Sequence, residues 1–435
     1  MKHFLLENLG CRASQADGAA LAAALRSDGM TPLEEGAADL IVVNTCTVTQ
    51  SADADARATV RRLHRQHPGA DILVTGCYAQ RAPTDLTALP GVRWVLGNSH
   101  KTQAASVASE SESDTEYHGA IRIGDISAPH AFEGTPLEDT RSDRTRPNLK
   151  IQDGCSNRCS FCIIPSVRGR SRSAPAQNVV EQVRDLAERY REVVLSGINL
   201  GRWGRDFTPS SRFVNLLRLL LTETPIARLR LSSVEPMDWS DDLLHLMANE
   251  APRIAEHVHM PLQSGSDAVL KRMFRKYRTR HYAGRLALAH RLMPDAAIGA
   301  DVMTGFPGES ENEFAETVRF IEDQPFTYLH VFTYSERSGT AAASYDHSVP
   351  VPLRRERTAI LRQLSERKQR AFRERMLGRL LPAVTLQQGG WALTSNFLRI
   401  EMTQAREPNQ LVQLRIGAVT NDALRETSPF PILPS

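Results

Sequence analysis

Three cysteines within eight residues, Cys155-Ser156-Asn157-Arg158-Cys159-Ser160-Phe161-Cys162, constrain this 435-residue chain more than any other feature. Thiols this close make poor disulfide partners for one another. Three more, Cys11, Cys46 and Cys77, lie far apart near the start, and none follows Cys162. An even count of six permits three disulfides. The N-terminus, however, is charged again within a few residues, and no segment reaches the roughly 18 apolar residues of a membrane helix. The expectation is a cytoplasmic protein, whose cysteines stay reduced and more often bind metal. A structural zinc would need a fourth Cys or His close by, and the trio has none. A four-iron cluster on three thiolates instead keeps one iron open to another ligand.

The chain alternates strand and helix. Strands at Phe4–Leu6, Asp39–Val43 and Asp71–Val74 each end just before a cysteine, and Trp94 begins a fourth. Helices are expected over Ala19–Leu25, with Ser14 as N-cap, and over Ser51–His67. This alternation predicts a parallel sheet, and ligands of open α/β sheets bind at the carboxyl edge. Cys11, Cys46 and Cys77 then share that edge. Residues 101–145 carry the acidic, polar run Ser109–Asp114 and read as a linker. Six further strands follow, at Leu149–Ile151, Val193–Gly197, Leu229–Ser233, His257–Met260, Ile298–Val302 and Tyr328–Phe332. They suit a partial (β/α)6 barrel with polar residues after nearly every strand. A charged helix over Arg354–Arg375 precedes short strands at Ala383–Leu386, Phe397–Ile400 and Leu411–Ile416. The expected fold is α/β: a parallel sheet domain (1–105), a linker (106–145), a partial barrel (146–375) and a small β module (376–435).

With 53 Lys+Arg against 50 Asp+Glu, overall charge predicts no nucleic-acid partner, so any such claim rests on local patches. Arg168-Gly169-Arg170-Ser171-Arg172 follows the cysteine trio directly and is read as RNA-contacting through Arg168, Arg170 and Arg172. Basic runs at 271–280 and 367–375 are the other two patches, the second favoured as a solvated helix face.

The spacing C-x3-C-x2-C, with Phe161 before the last cysteine, resembles that of the radical S-adenosylmethionine (SAM) superfamily. The resemblance implies that Cys155, Cys159 and Cys162 bind a [4Fe–4S] cluster whose open iron chelates SAM, and that the sulfonium C–S bond breaks there to a 5′-deoxyadenosyl radical. It places Ser196, Gly197 and Asn199 at the methionine amino group and Ser232, Ser233 and Glu235 near the ribose. Gln263 and Asp301, at later strand ends, complete the expected site. Each of these alone is as readily an ordinary turn residue or helix cap.

Over essentially its whole length the sequence resembles the methylthiotransferase family. The resemblance rests on Leu9-Gly10-Cys11, Asn44-Thr45-Cys46-Thr47-Val48-Thr49, Gly76-Cys77-Tyr78-Ala79-Gln80, Gln152-Asp153-Gly154-Cys155 and the segment His259–Ser266. It implies a second [4Fe–4S] cluster on Cys11, Cys46 and Cys77 as sulfur carrier, a C-terminal TRAM-type β-barrel, and tRNA as partner. It also implies a low-potential electron donor of flavodoxin or ferredoxin type; the sulfur source is not readable. Segments 44–49, 76–80 and 196–201 look like the branch acting on threonylcarbamoyladenosine in tRNA. Other branches act on isopentenyladenosine or on a ribosomal-protein aspartate. Unlike the family's usual basic module, residues 378–435 mix few Arg with Glu and Asp, although Leu393–Ile400 resembles one TRAM strand.

Overall fold

A computed structural model describes residues 2–109, 119–128, 132 and 145–427. Six parallel strands form the first sheet: β1 (His3–Asn8), β2 (Thr31–Pro32), β3 (Leu40–Thr45), β4 (Asp71–Gly76), β5 (Val92–Leu96) and β6 (Ala120–Arg122), in the order β2-β1-β3-β4-β5-β6. All six residues of β3 are buried, as a strand covered on both faces requires. Side chains alternate between those faces. Ile41 and Val43 pack with Val60 and Leu63 of the helix Gln50–Gln66, while Leu40 and Val42 pack with Leu21 and Leu25 of the helix Arg12–Ser27.

One expectation is corrected here. Cys11, not Ser14, caps the first helix, because the helix begins at Arg12 and Ser14 is buried inside it. The stretch read as linker also carries order: Val107 and Ala108, in the helix Ala104–Ser109, join the sheet's core, and β6 adds its edge strand. Much of the acidic run lies outside the described residues.

The second unit holds β7 (Asn148–Asp153), β8 (Arg172–Ser173), β9 (Glu192–Gly197), β10 (Arg228–Leu231), β11 (His257–His259), β12 (Ala297–Thr304) and β13 (Tyr328–Thr333). Strands β10-β9-β7-β8 make one sheet and β11-β12-β13 another, joined by a parallel bridge from Leu229 to Ile254. The six parallel strands are those expected; β8 is a short antiparallel addition. The partial barrel is borne out, and its two sheets share one apolar core.

The chain closes in a five-strand barrel of β14 (Leu380–Thr385), β15 (Trp391–Thr394), β16 (Arg399–Glu401), β17 (Leu411–Val419) and β18 (Leu424–Glu426), ordered β14-β15-β16-β18-β17. Three of these strands were legible; β15 and β18 were not. Among the described residues no helix is long and apolar enough to cross a membrane.

Candidate active site

The loop after β7 is shaped for its cysteines. Gly154 has φ +67°, and a Cβ there would stand 2.1 Å from the Arg170 carbonyl oxygen, so only glycine fits. The Gln152 amide donates to the carbonyls of Asp153 and Gly154, and its oxygen accepts from the Asn199 backbone N–H at 2.6 Å. The Asn157 backbone N–H points at Cys155 Sγ (3.4 Å), and Arg275 Nη1 donates to Cys159 Sγ (3.2 Å). Arg275 is itself buried and paired with Glu235. Burial pushes the Cys162 thiol up to about 12, and the neighbouring Cys159 and Cys155 push the same way. Three mutually repelling thiolates in such a pocket call for a cationic partner, the donor set an iron–sulfur cluster takes.

These cysteines open on a cavity of about 680 Å³. Each of the nine residues expected to hold SAM lines it: Phe161 beside the trio, Ser196 and Gly197 at the end of β9 with Asn199 just after, Ser232, Ser233 and Glu235 after β10, then Gln263 and Asp301. Asp301 sits within β12 rather than at its end. Asn199 Oδ1 and Ser232 Oγ are buried without a hydrogen-bond partner. Orphaned polar atoms on a cavity wall suit a polar ligand such as SAM.

The first trio also converges. Cys46 and Cys77 are buried at the ends of β3 and β4, and Cys11 follows β1. The order β2-β1-β3 reverses direction between β1 and β3, so Cys11 and Cys46 flank the sheet's switch point. Gly10, at φ +112°, lets Cys46 approach: a Cβ there would lie 2.6 Å from the Cys46 Cβ. Burial raises the Cys46 thiol to about 11, with Cys77 and Cys11 adding to the rise. Of this trio Cys11 lines the large cavity, on whose wall Cys155, Cys159 and Cys162 also lie.

Arg168 overturns its expected role. It is 1% exposed and donates to Cys77 Sγ (3.2 Å), Asp153 (3.0 Å) and Asp17 (2.9 Å), so no RNA phosphate reaches it. Lys101 and Lys150 join the same buried network on Asp17 and Asp153. Burial alone would raise the Asp153 carboxyl, but Lys150 and Arg168 outweigh it and hold it well below the usual range. Arg172, half-buried, donates to the Arg168 carbonyl, whereas Arg170 is exposed. The run at 271–280 divides likewise: Lys271, Lys276 and Arg280 are exposed, Arg272 pairs with Glu313, and Arg275 serves Cys159.

Sequence reasoning missed the wall facing these groups. His257, His259, Tyr328 and His330 line the cavity from β11 and β13, and Phe397 reaches it from the C-terminal barrel. Alternation along HisValHis and TyrLeuHis was the available signal, since it turns these side chains to one face. Burial holds His257 well below its ordinary range. It also lowers His259, against the pull of Asp301.

Residues 149–321 match the Radical SAM superfamily and residues 3–97 match the uncharacterized protein family UPF0004. The folded likeness agrees: a radical S-adenosylmethionine methyltransferase, TsrM, from Kitasatospora setae superposes with TM-score 0.57 at 16% identity, over 79% of this chain and 77% of that one. The site and fold therefore define a radical SAM enzyme, a class that uses SAM and an iron–sulfur cluster. A threonylcarbamoyladenosine tRNA methylthiotransferase MtaB of Bacillus subtilis is 38% identical over 82% of this chain and 79% of its own. One from Aquifex aeolicus is 34% identical over 94% and 99%. A tRNA-2-methylthio-N(6)-dimethylallyladenosine synthase of Clavibacter michiganensis is 33% identical over 88% and 72%. The chain belongs to the radical SAM methylthiotransferase family.

Proposed function

We propose that this enzyme adds a methylthio group at C2 of N6-threonylcarbamoyladenosine beside the anticodon of tRNA. Cys155, Cys159 and Cys162 hold one [4Fe–4S] cluster, and Cys11, Cys46 and Cys77 hold a second. The observation that carries this reading is that Cys11 of the first trio lines the same cavity as Cys155, Cys159 and Cys162. When bound, the clusters and SAM supply a carbon-centred radical and a methylated sulfur, which an unreactive aromatic C–H requires. The chain's own residues hold and orient these groups. Arg275 and the Asn157 amide donate to the thiolates of one trio, and Arg168 to one of the other. Asn199 and Ser232 present their free oxygens to SAM, and Ser196, Gly197, Ser233, Glu235, Phe161, Gln263 and Asp301 line the same cavity.

Relatives bearing the threonylcarbamoyladenosine name support the choice of nucleoside. Arg170, exposed beside the radical loop, contacts the RNA backbone. The electron comes from a low-potential flavodoxin- or ferredoxin-like donor, and the reaction takes place in the cytoplasm with its tRNA. On this reading the sheet domain carries sulfur, the barrel generates the radical, and the C-terminal barrel closes the site. Mass spectrometry of tRNA nucleosides from a deletion strain tests it. The 2-methylthio form of threonylcarbamoyladenosine should vanish. Loss of the isopentenyladenosine product instead, or unchanged tRNA with an unmodified ribosomal-protein aspartate, refutes it.

A further inference from the structure

The C-terminal barrel does more than close the chain. Phe397, between β15 and β16, has φ +64°, a backbone region that bulky residues avoid. Such strain persists only where surrounding structure enforces it, and it clusters at ligand sites. Here the enforcement is visible. Arg230 donates to the carbonyls of Thr394 (2.8 Å) and Ser395 (3.1 Å) while paired with buried Glu192 (2.7 Å). Asn396 Nδ2 donates to the Asp295 carbonyl (2.9 Å). The hairpin is thus fastened to the catalytic barrel, and Phe397 is carried into the wall of its cavity.

The ring stacks on His257, with centroids 4.2 Å apart and planes 7° from parallel. His257 Nε2 is held at 2.6 Å from the Tyr328 hydroxyl, which fixes the platform from behind. Beside it stand His259, Asp301 and His330, their donor atoms within 4.8 Å of one another. His259 is 7% exposed, yet its Nε2 has no hydrogen-bond partner and lies 3.5 Å from Asp301 Oδ1. A flat apolar surface beside unsatisfied ring donors and acceptors matches a heterocycle with ring nitrogens: one stacks, the other reads its edge. At the cavity, Val48 and Phe332 are exposed apolar residues across which a base can enter.

Building on the function proposed above, we propose that Phe397 and the His259–Asp301–His330 group form the purine subsite: Phe397 stacks the target base and His259 hydrogen-bonds a ring nitrogen. The C-terminal barrel is thereby part of the active site, and it orients C2 toward the cysteine side.

The test uses reconstituted full-length enzyme with an anticodon stem-loop carrying threonylcarbamoyladenosine. It measures 5′-deoxyadenosine and methylthiolated product together. Phe397→Leu keeps apolar volume without the aromatic face. The fraction of 5′-deoxyadenosine that ends in product should fall about tenfold, the size of losing one stacking side chain. Phe397→Tyr should restore it, and His259→Phe should lower it again with a raised KM for the stem-loop. An unchanged ratio in Phe397→Leu overturns the proposal, as does a parallel fall of both products, which would place the wall in SAM binding. A stoichiometric divalent metal lost on His330→Ala would overturn it too, by making the group a metal site. If the unaltered enzyme forms no methylthio product, the proposed function fails and not merely the subsite.

Discussion

The two cysteine trios are assembled in opposite ways. Cys155, Cys159 and Cys162 ride one loop after one strand, and a single ion pair, buried Arg275 with half-buried Glu235, faces them. Cys11, Cys46 and Cys77 come from the ends of three strands and meet only once the sheet has formed. Their neighbour is a larger network in which four cations, Lys101, Lys150, Arg168 and the half-buried Arg172, meet two carboxylates, Asp17 and Asp153. The radical trio thus sits beside a neutral pair. The trio of Cys11, Cys46 and Cys77 sits beside surplus positive charge, a counter-charge for the negative charge that three thiolates bring. The lesson is that one loop suffices to gather three thiols, whereas a site built across a sheet needs the fold to gather them; in both, the charges that face the thiols come from distant parts of the chain.

The largest effect that separates the two surroundings should come from Arg275→Met. It leaves half-buried Glu235 without its partner and should cost about 3 kcal/mol, the low end for a broken buried pair, in denaturant unfolding of the iron-free protein. Adding Glu235→Gln should recover much of that loss. Arg168→Met leaves three cations, Lys101, Lys150 and Arg172, against two carboxylates, so its unfolding cost should be the smaller of the two. If the two single variants unfold alike, the contrast between neutral pair and surplus charge is wrong.

A second test concerns the ion pair that fastens the C-terminal barrel. Burial raises the Glu192 carboxyl, but Arg230, with Arg146 and Arg228, more than reverses this and brings it to about 2. Because the folded value lies below the unfolded one near 4.3, the stabilisation is complete above that pH and disappears as pH falls toward 2. Its size is about 3 kcal/mol. Stability measured from pH 6 to 2.5 should fall, and Glu192→Gln should flatten that slope.

Smaller again is Gly10→Ala, which places a Cβ against Cys46 at a left-handed backbone position and should cost about 1–2 kcal/mol. Iron analysis after reconstitution should show loss from the Cys11 side only, while Gly154→Ala should remove it from the radical side. The smallest effect is Arg170→Glu. The salt slope of tRNA affinity should drop by about 1, without loss of folding.

Legibility follows the same division. The radical trio was visible because its spacing is local, and the strands were visible because buried parallel strands such as Leu40–Thr45 are nearly all apolar. Meeting of Cys11, Cys46 and Cys77 at one edge followed from strand alternation. Arg168 misled because a basic run looks the same in sequence whether it faces solvent or fills a charged core. Only the fold brings Asp17 and Asp153 to it. Phe397 was read as a strand residue because nothing local reveals that Arg230, well over a hundred residues earlier, holds its hairpin.

The central claim is that the trios divide the labour, one making the radical and the other supplying sulfur. The direct measurement is a Cys46→Ala/Cys77→Ala variant, reconstituted anaerobically, assayed with reductant, SAM and the modified stem-loop. The account predicts about four irons per chain in place of about eight, continued release of 5′-deoxyadenosine, and no methylthiolated nucleoside. Methylthiolation that persists in this variant would contradict it.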